Sequence, residues 1–300
     1  MLTGLSAFPL TPLRDDAVDG PAFAALVERL AAAGVDSIGA LGSTGSAAYL
    51  DREERRRVAA LAVRHAGQVP LVRISALRTS QVLALAEDAQ EAGAAAVLLA
   101  PVSYQPLTDD DVLGLYEDVT AQLSVPLVVY DNPGTTHVTM TDELYGAIAR
   151  LPRVASIKIP GVPADPAAAA ERVTAIRAQV PAGVTIGVSG DASAARGLLA
   201  GCDAWYSVIG GTLPGPALTI ARAAQSGDRA AAEAESARLQ PLWDLFAEHG
   251  GSYRVIAAIA EQLGLAAPDC LPRPIRGLDA PARARVAEVV AALDLGTPTG

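Results

Sequence analysis

Eight short apolar runs, rich in Val, Ile and Leu, recur along the chain and alternate with longer alanine-rich stretches of helical period. Runs this short cannot each be a helix, and their regular alternation with helical segments is the pattern of βα units around a parallel sheet. The runs are Leu2 to Phe8, Ser37 to Leu41, Leu71 to Ser75, Ala96 to Ala100, Leu127 to Tyr130, Ala155 to Ile159, Thr185 to Val188 and Ala204 to Val208. Their onsets fall roughly every 20 to 35 residues, the spacing of successive units in an α/β barrel. Eight parallel strands close a ring, so the expected fold is a (β/α)8 TIM barrel. An open doubly wound sheet is the rival architecture, and the strand number favours the barrel.

The intervening segments 21–33, 51–65, 80–92, 109–123, 142–151 and 166–180 can each turn an apolar stripe toward the sheet. Asp19, Asp51, Thr79, Thr108, Thr141 and Asp165 stand where helix caps are expected. Beyond Pro214 only helical pattern remains, with apolar positions at Leu239, Leu242, Leu245 and Phe246, then Val255, Ile256, Ile259 and Leu263. Residues 1–228 are therefore expected to form the catalytic barrel, and 229–300 a helical extension packed on it. The tail 296–300 is expected to fray.

With 51% apolar and 19% charged residues the chain can bury a large core. A net charge of −10 speaks against a nucleic-acid surface, which needs clustered positive charge. Arg55-Arg56-Arg57 is the one basic cluster; two glutamates precede it, and it reads as a solvated helix face. No apolar stretch approaches the roughly 20 residues that span a bilayer, and no signal peptide is apparent, so a cytoplasmic location is expected. Cys202 and Cys270 form no disulfide framework, and His65, His137 and His249 have no metal-ligand spacing. No metal site is expected.

Of 23 basic residues only one, Lys158, is a lysine. It stands in Val154-Ala-Ser-Ile-Lys-Ile159, near the end of the sixth run. Strand neighbours point to opposite faces, so if Ile157 and Ile159 face the helices, Lys158 faces the barrel interior. A desolvated amine loses its proton more readily and attacks carbonyls. Tyr130 ends the preceding run, within reach of a neighbouring strand's side chains. Gly42-Ser43-Thr44-Gly45 follows the second run and offers backbone N–H groups and hydroxyls suited to a carboxylate. Ser189-Gly190-Asp191 and the stretch from Ser207 to Gly211 end the seventh and eighth runs and supply small polar loops at the same mouth.

These residues resemble the dihydrodipicolinate synthase and N-acetylneuraminate lyase family of class I aldolases over nearly the whole chain. Gly42-Ser-Thr-Gly45, Tyr130 with Pro133, Lys158 and Gly190-Asp191 carry the resemblance. It implies a Schiff base between Lys158 and pyruvate, a carboxylate held by Ser43 and Thr44, and proton relay through Tyr130 assisted by Thr44. It also implies a homo-oligomer, tetramer or dimer, a 2-oxo acid and an aldehyde as substrates, and no metal or organic cofactor. Two positions depart from the family's synthases. Thr135 stands where they carry an arginine for the aldehyde's carboxylate, although Arg73 or Arg78 after the third strand could supply that charge. Val102-Ser103-Tyr104 replaces the pair of tyrosines of which one reaches a neighbouring subunit, leaving Tyr104 as a candidate interface tyrosine. The family's glutamate after Thr-Gly is replaced by Ser46. The expected activity is a reversible pyruvate-dependent aldol cleavage or condensation. The alternatives are 4-hydroxy-tetrahydrodipicolinate synthesis, dehydration of a 2-oxo-3-deoxy sugar acid through the same imine, and a barrel that only binds a metabolite.

Overall fold

A computed structural model describes residues 2–67 and 69–296; of the expected frayed tail, 297–300 lie outside the described residues. The eight barrel strands are β1 Gly4–Ala7, β2 Ser37–Ala40, β3 Val69–Arg73, β4 Ala96–Leu99, β5 Leu127–Tyr130, β6 Val154–Ile159, β7 Thr185–Val188 and β8 Ala204–Ser207. All pair in parallel, and β1 closes the ring by bonding both β8, with Gly4 beside Ala204, and β2, with Ser6 beside Ser37. The expected TIM barrel is the observed fold, since a closed ring leaves no open sheet edge.

Side chains alternate between two cores. Ile38, Val97, Val129, Ile157, Ile186 and Trp205 point outward under the helices. Leu71, Leu98, Val128, Tyr130 and Tyr206 fill the interior. Along β6, Ile157 and Ile159 belong to the outer core, so Ser156 and Lys158 face inward. The register places Lys158 directly beside Tyr130. Gly187 and Gly39 take the interior positions where a Cβ would overlap the rings of Tyr206 and Phe8.

Helices α1 Gly20–Ala33, α2 Arg52–Ala66, α3 Thr79–Glu91, α4 Asp109–Thr120, α5 Asp142–Ala149, α6 Pro166–Gln179, α7 Ala194–Leu199 and α8 Pro214–Gln225 lie around the ring. Asp19, Asp51, Thr108, Thr141 and Asp165 each accept a first-turn backbone N–H, and Asp51 closes a full capping box with Glu54. Thr79 is instead the first residue of its helix; Arg78 precedes it, and the Gln81 side chain accepts from the Arg78 N–H. Between β1 and α1 a two-stranded hairpin, Leu13–Arg14 with Ala17–Val18, turns through Asp15 and Asp16. Both aspartates have positive φ, as a two-residue hairpin turn demands.

The expectation of a solvated face for the arginine cluster fails at Arg55. Arg56 is exposed and pairs with Glu53, but Arg55 is buried. Arg55 shares the inward phase of Val58, Ala59 and Ala62 and donates to the carbonyls of Arg73 and Ser75, holding the end of β3. Helices α9 Arg229–Arg238, α10 Gln240–Glu248, α11 Ser252–Gln262 and α12 Ala280–Ala292 follow the barrel. Helix α9 packs on α7 and α8, and α10 reaches the turn at Asp191–Ser193 after β7.

Candidate active site

Lys158 is 4% exposed, and its Nζ lies among three aromatic rings. The ring centres of Tyr130, Phe8 and Tyr206 are 4.0, 4.2 and 5.6 Å away. No ion pair engages it among the described residues, so the amine has aromatic faces in place of a carboxylate. Burial pushes its pKa below the ordinary lysine range. The Tyr130 oxygen and, less strongly, the Asp191 carboxylate pull it back up, and the nearby Arg73 charge lowers it further. For Tyr130, burial alone would raise the phenol, but the charge of Lys158, the Ser43 hydroxyl and Arg73 outweigh it and leave the phenol below its usual range. Tyr130 thus sits between the amine of Lys158 and the guanidinium of Arg73, beside hydroxyl and amide groups. Its hydroxyl is 2.8 Å from Asn132 Nδ2 and 3.5 Å from Ser43 Oγ.

Ser43 belongs to the tight loop between β2 and α2. Leu41 and Ser46 bracket it, each in the left-handed region at φ near 60°, and Gly45 lies so close to Gly42 and Leu41 that a Cβ would press on their backbone. Ser46 Oγ is 2.6 Å from the Tyr253 hydroxyl on α11. That contact gives the replaced glutamate position a role: it ties the loop to the C-terminal helices. The far wall of the mouth carries Arg73, at the end of β3. Arg73 is 5% exposed, donates from Nη1 to Ser43 Oγ at 3.3 Å and from Nε to Ser75 Oγ at 3.0 Å, and stands 5.8 Å from the Tyr130 ring centre.

The model of the dihydrodipicolinate synthetase family matches residues 1–293. The chain belongs to that family. It is 33% identical to the 4-hydroxy-tetrahydrodipicolinate synthase of Methylococcus capsulatus over 83% of this chain and 84% of that one. With the enzyme of the same name from Thioalkalivibrio sulfidiphilus it shares 30% identity over 97% and 98%. Among solved structures, a dihydrodipicolinate synthase from Agrobacterium tumefaciens superposes with a TM-score of 0.93 at 46% identity, covering 97% of this chain and 98% of that one.

The remaining expected site residues are placed as follows. The hydroxyl next to Tyr130 is that of Ser43; Thr44 is buried in the same loop, and no hydrogen bond joins it to Tyr130 or Lys158 among the described residues. Gly42 and Gly45 are buried, as close approach to the loop requires. Ser207 ends β8. It is fully buried, and its hydroxyl is spent on Asp191 and on the N–H of Gly210. Ser189 is half-buried and donates to the Ile159 carbonyl at 2.8 Å. Gly190 is exposed with φ 82° and borders a 560 Å³ cavity under Trp243 and Phe246. Thr135 is exposed on the short helix Pro133–Thr136, and Tyr104 is 91% exposed. No group of three or more His, Cys, Asp or Glu suited to a metal ion occurs among the described residues.

Sequence reasoning missed Phe8 and Asn132 and gave Arg73 only as a substitute. The signal for Phe8 was the pair Gly39 and Gly42, small because a ring lies against them. Asn132 stands inside the turn after Tyr130, two residues from the hydroxyl it contacts.

Proposed function

We propose that this protein is a Schiff-base-forming lyase that joins or cleaves carbon–carbon bonds at C3 of pyruvate or a related 2-oxo acid, with an aldehyde as the second substrate. The observation that carries the reading is the burial of Lys158 beside Tyr130 with no ion pair among the described residues. The neutral amine attacks C2, forming the C–N bond while the carbonyl oxygen gains a proton. Loss of water from this carbinolamine leaves an iminium. Its positive nitrogen accepts the electron pair released when a C3 proton departs or the C3–C4 bond breaks, giving an enamine. Tyr130, with Ser43 and Thr44 as hydroxyl partners, moves the protons. Gly42, Ser43, Thr44 and Gly45 hold the C1 carboxylate, and Thr135, Ser189 and Gly190 border the space for the rest of the substrate. Residues 1–228 act as the catalytic barrel, with 229–300 as its supporting extension.

Borohydride reduction in the presence of pyruvate, followed by intact mass and peptide mapping, tests the reading. One reduced pyruvyl adduct on Lys158 is expected; an unmodified Lys158 contradicts it. A second reading, 4-hydroxy-tetrahydrodipicolinate synthesis, is favoured by the name that the full-length relatives share. Saturable turnover of pyruvate with aspartate semialdehyde at micromolar concentration would establish it, and Thr135 in place of an arginine argues for weak turnover there.

A cytoplasmic homo-oligomer, dimer or tetramer, completes the proposal. Among the described residues no helix is long and apolar enough to cross a membrane, and Leu77 and Tyr104, 63% and 91% exposed, present apolar surface after β3 and β4. Light scattering reads the assembly, and a monomer at micromolar concentration would remove the oligomer from the account.

A further inference from the structure

Arg73 is a charge without a counter-ion in the place where a substrate sits. Arg172, Arg177 and Arg222 pair with Asp142, Asp203 and Asp36 on the partly exposed shell. Arg73 is far more buried than any of these and forms no ion pair among the described residues; the acidic groups beside it are the phenols of Tyr130 and Tyr116. A guanidinium has five N–H donors. One goes to Ser75 and one to Ser43, and no acceptor meets Nη2 among the described residues. Burying a cation in this state is costly unless an anion arrives to share the site, and a guanidinium fork fits a carboxylate in two parallel bonds.

The Gly42–Gly45 loop already accounts for one carboxylate, the one next to the reacting carbonyl, and Lys158 takes that carbonyl. From these positions we infer that Arg73 is a second carboxylate-binding residue, and that the 2-oxo acid taken by this site carries another carboxylate at its far end. The inference rests on the imine reading above and narrows it to 2-oxo dicarboxylates. Lys158 Nζ and Arg73 Cζ lie 4.0 and 5.8 Å from the centre of the same Tyr130 ring. Both cationic groups thus face one ring, and an acid of about five carbons, at roughly 1.5 Å per bond, is of a size to reach from one to the other. Arg73 is buried at the end of β3, two strands from β5 and the exposed Thr135 that follows it, so the second charge is recognised deeper in the barrel than Thr135 stands.

Borohydride trapping with a matched pair of acids tests this. 2-Oxoglutarate and 2-oxopentanoate have the same five-carbon chain and differ in the terminal carboxylate. The wild-type protein should be half-trapped by 2-oxoglutarate at a concentration about tenfold or more below that for 2-oxopentanoate, since one charge-assisted pair is worth at least a factor of ten. In Arg73→Met the ratio should fall close to one, and Arg73→Lys should restore part of it. Equal half-trapping of the two acids by the wild type overturns the inference without needing any variant to fold. A ratio that survives in Arg73→Met overturns it as well. If monocarboxylic acids are trapped with no preference, only the role of Arg73 falls; if no 2-oxo acid is trapped at all, the imine reading falls and takes this inference with it.

Discussion

Asp191 and Arg73 are both buried charges at the same end of the barrel, and their surroundings differ completely. Asp191 accepts from the N–H groups of Ile209 and Val208 at 2.7 and 3.1 Å, from Trp205 Nε1 at 3.1 Å and from Ser207 Oγ at 3.3 Å. Burial raises its carboxyl pKa, and these four donors work against that rise. Arg73 and Lys158 have rings and hydroxyls around them and no carboxylate in ion-pair contact among the described residues; Asp191 acts on Lys158 only through space. A buried network closed on itself holds strands and loops in place; one left open is poised for a ligand. The β7–β8 side therefore reads as frame, and the β3, β5 and β6 side as the reacting surface.

Substitutions on the two sides should fail in different ways. Lys158→Met should have the largest effect, removing turnover by more than about 10⁴-fold because the nucleophile is gone. Its thermal midpoint should hold or rise, since an apolar chain replaces a buried polar amine that has no ion pair; a fall of many degrees would mean that Lys158 belongs to the frame. Tyr130→Phe removes the proton carrier and keeps the ring, so kcat should drop roughly 10²- to 10³-fold with the fold unchanged. For Asp191→Ala the readout reverses. Leaving four donors without an acceptor should cost about 3 kcal/mol, seen as a midpoint lowered by roughly 5–10 °C, with turnover per folded molecule nearly intact. Loss of turnover at unchanged stability would break the division. Ser46→Ala gives the smallest change, about 1 kcal/mol for the bond to Tyr253, read by denaturant titration.

The barrel was legible because each βα unit writes its own period into the chain, and eight such units leave a closed ring as the simplest arrangement. Lys158 and Tyr130 were legible for a related reason: strand parity fixes which face a residue takes, and Ile157 and Ile159 fixed it for β6. Phe8 was hidden because its partner lies on β6, about 150 residues away, and only ring closure brings the two together. The parity of Arg73 with Leu71 was in the sequence, but arginines are seldom buried without a partner, so parity alone did not single it out. Arg55 shows the reverse case, in which three adjacent arginines mask a helical phase that their apolar neighbours carry. Ser207 ends a strand as a site residue would, and its hydroxyl donates to the chain's own Asp191.

The central claim is that Lys158 reacts as a neutral amine because burial and Arg73 disfavour its proton. By linkage, the unfolded chain binds a proton that the folded state has lost, so burying this lysine opposes folding less as pH rises toward its ordinary value of 10.5. The direct measurement is the rate of imine formation with pyruvate, quenched by borohydride across pH and read as adduct on Lys158. The account predicts a rate that rises with pH and reaches its plateau well below 10.5. Adduct that appears only as pH approaches the ordinary lysine value, or no adduct at any pH, would contradict it.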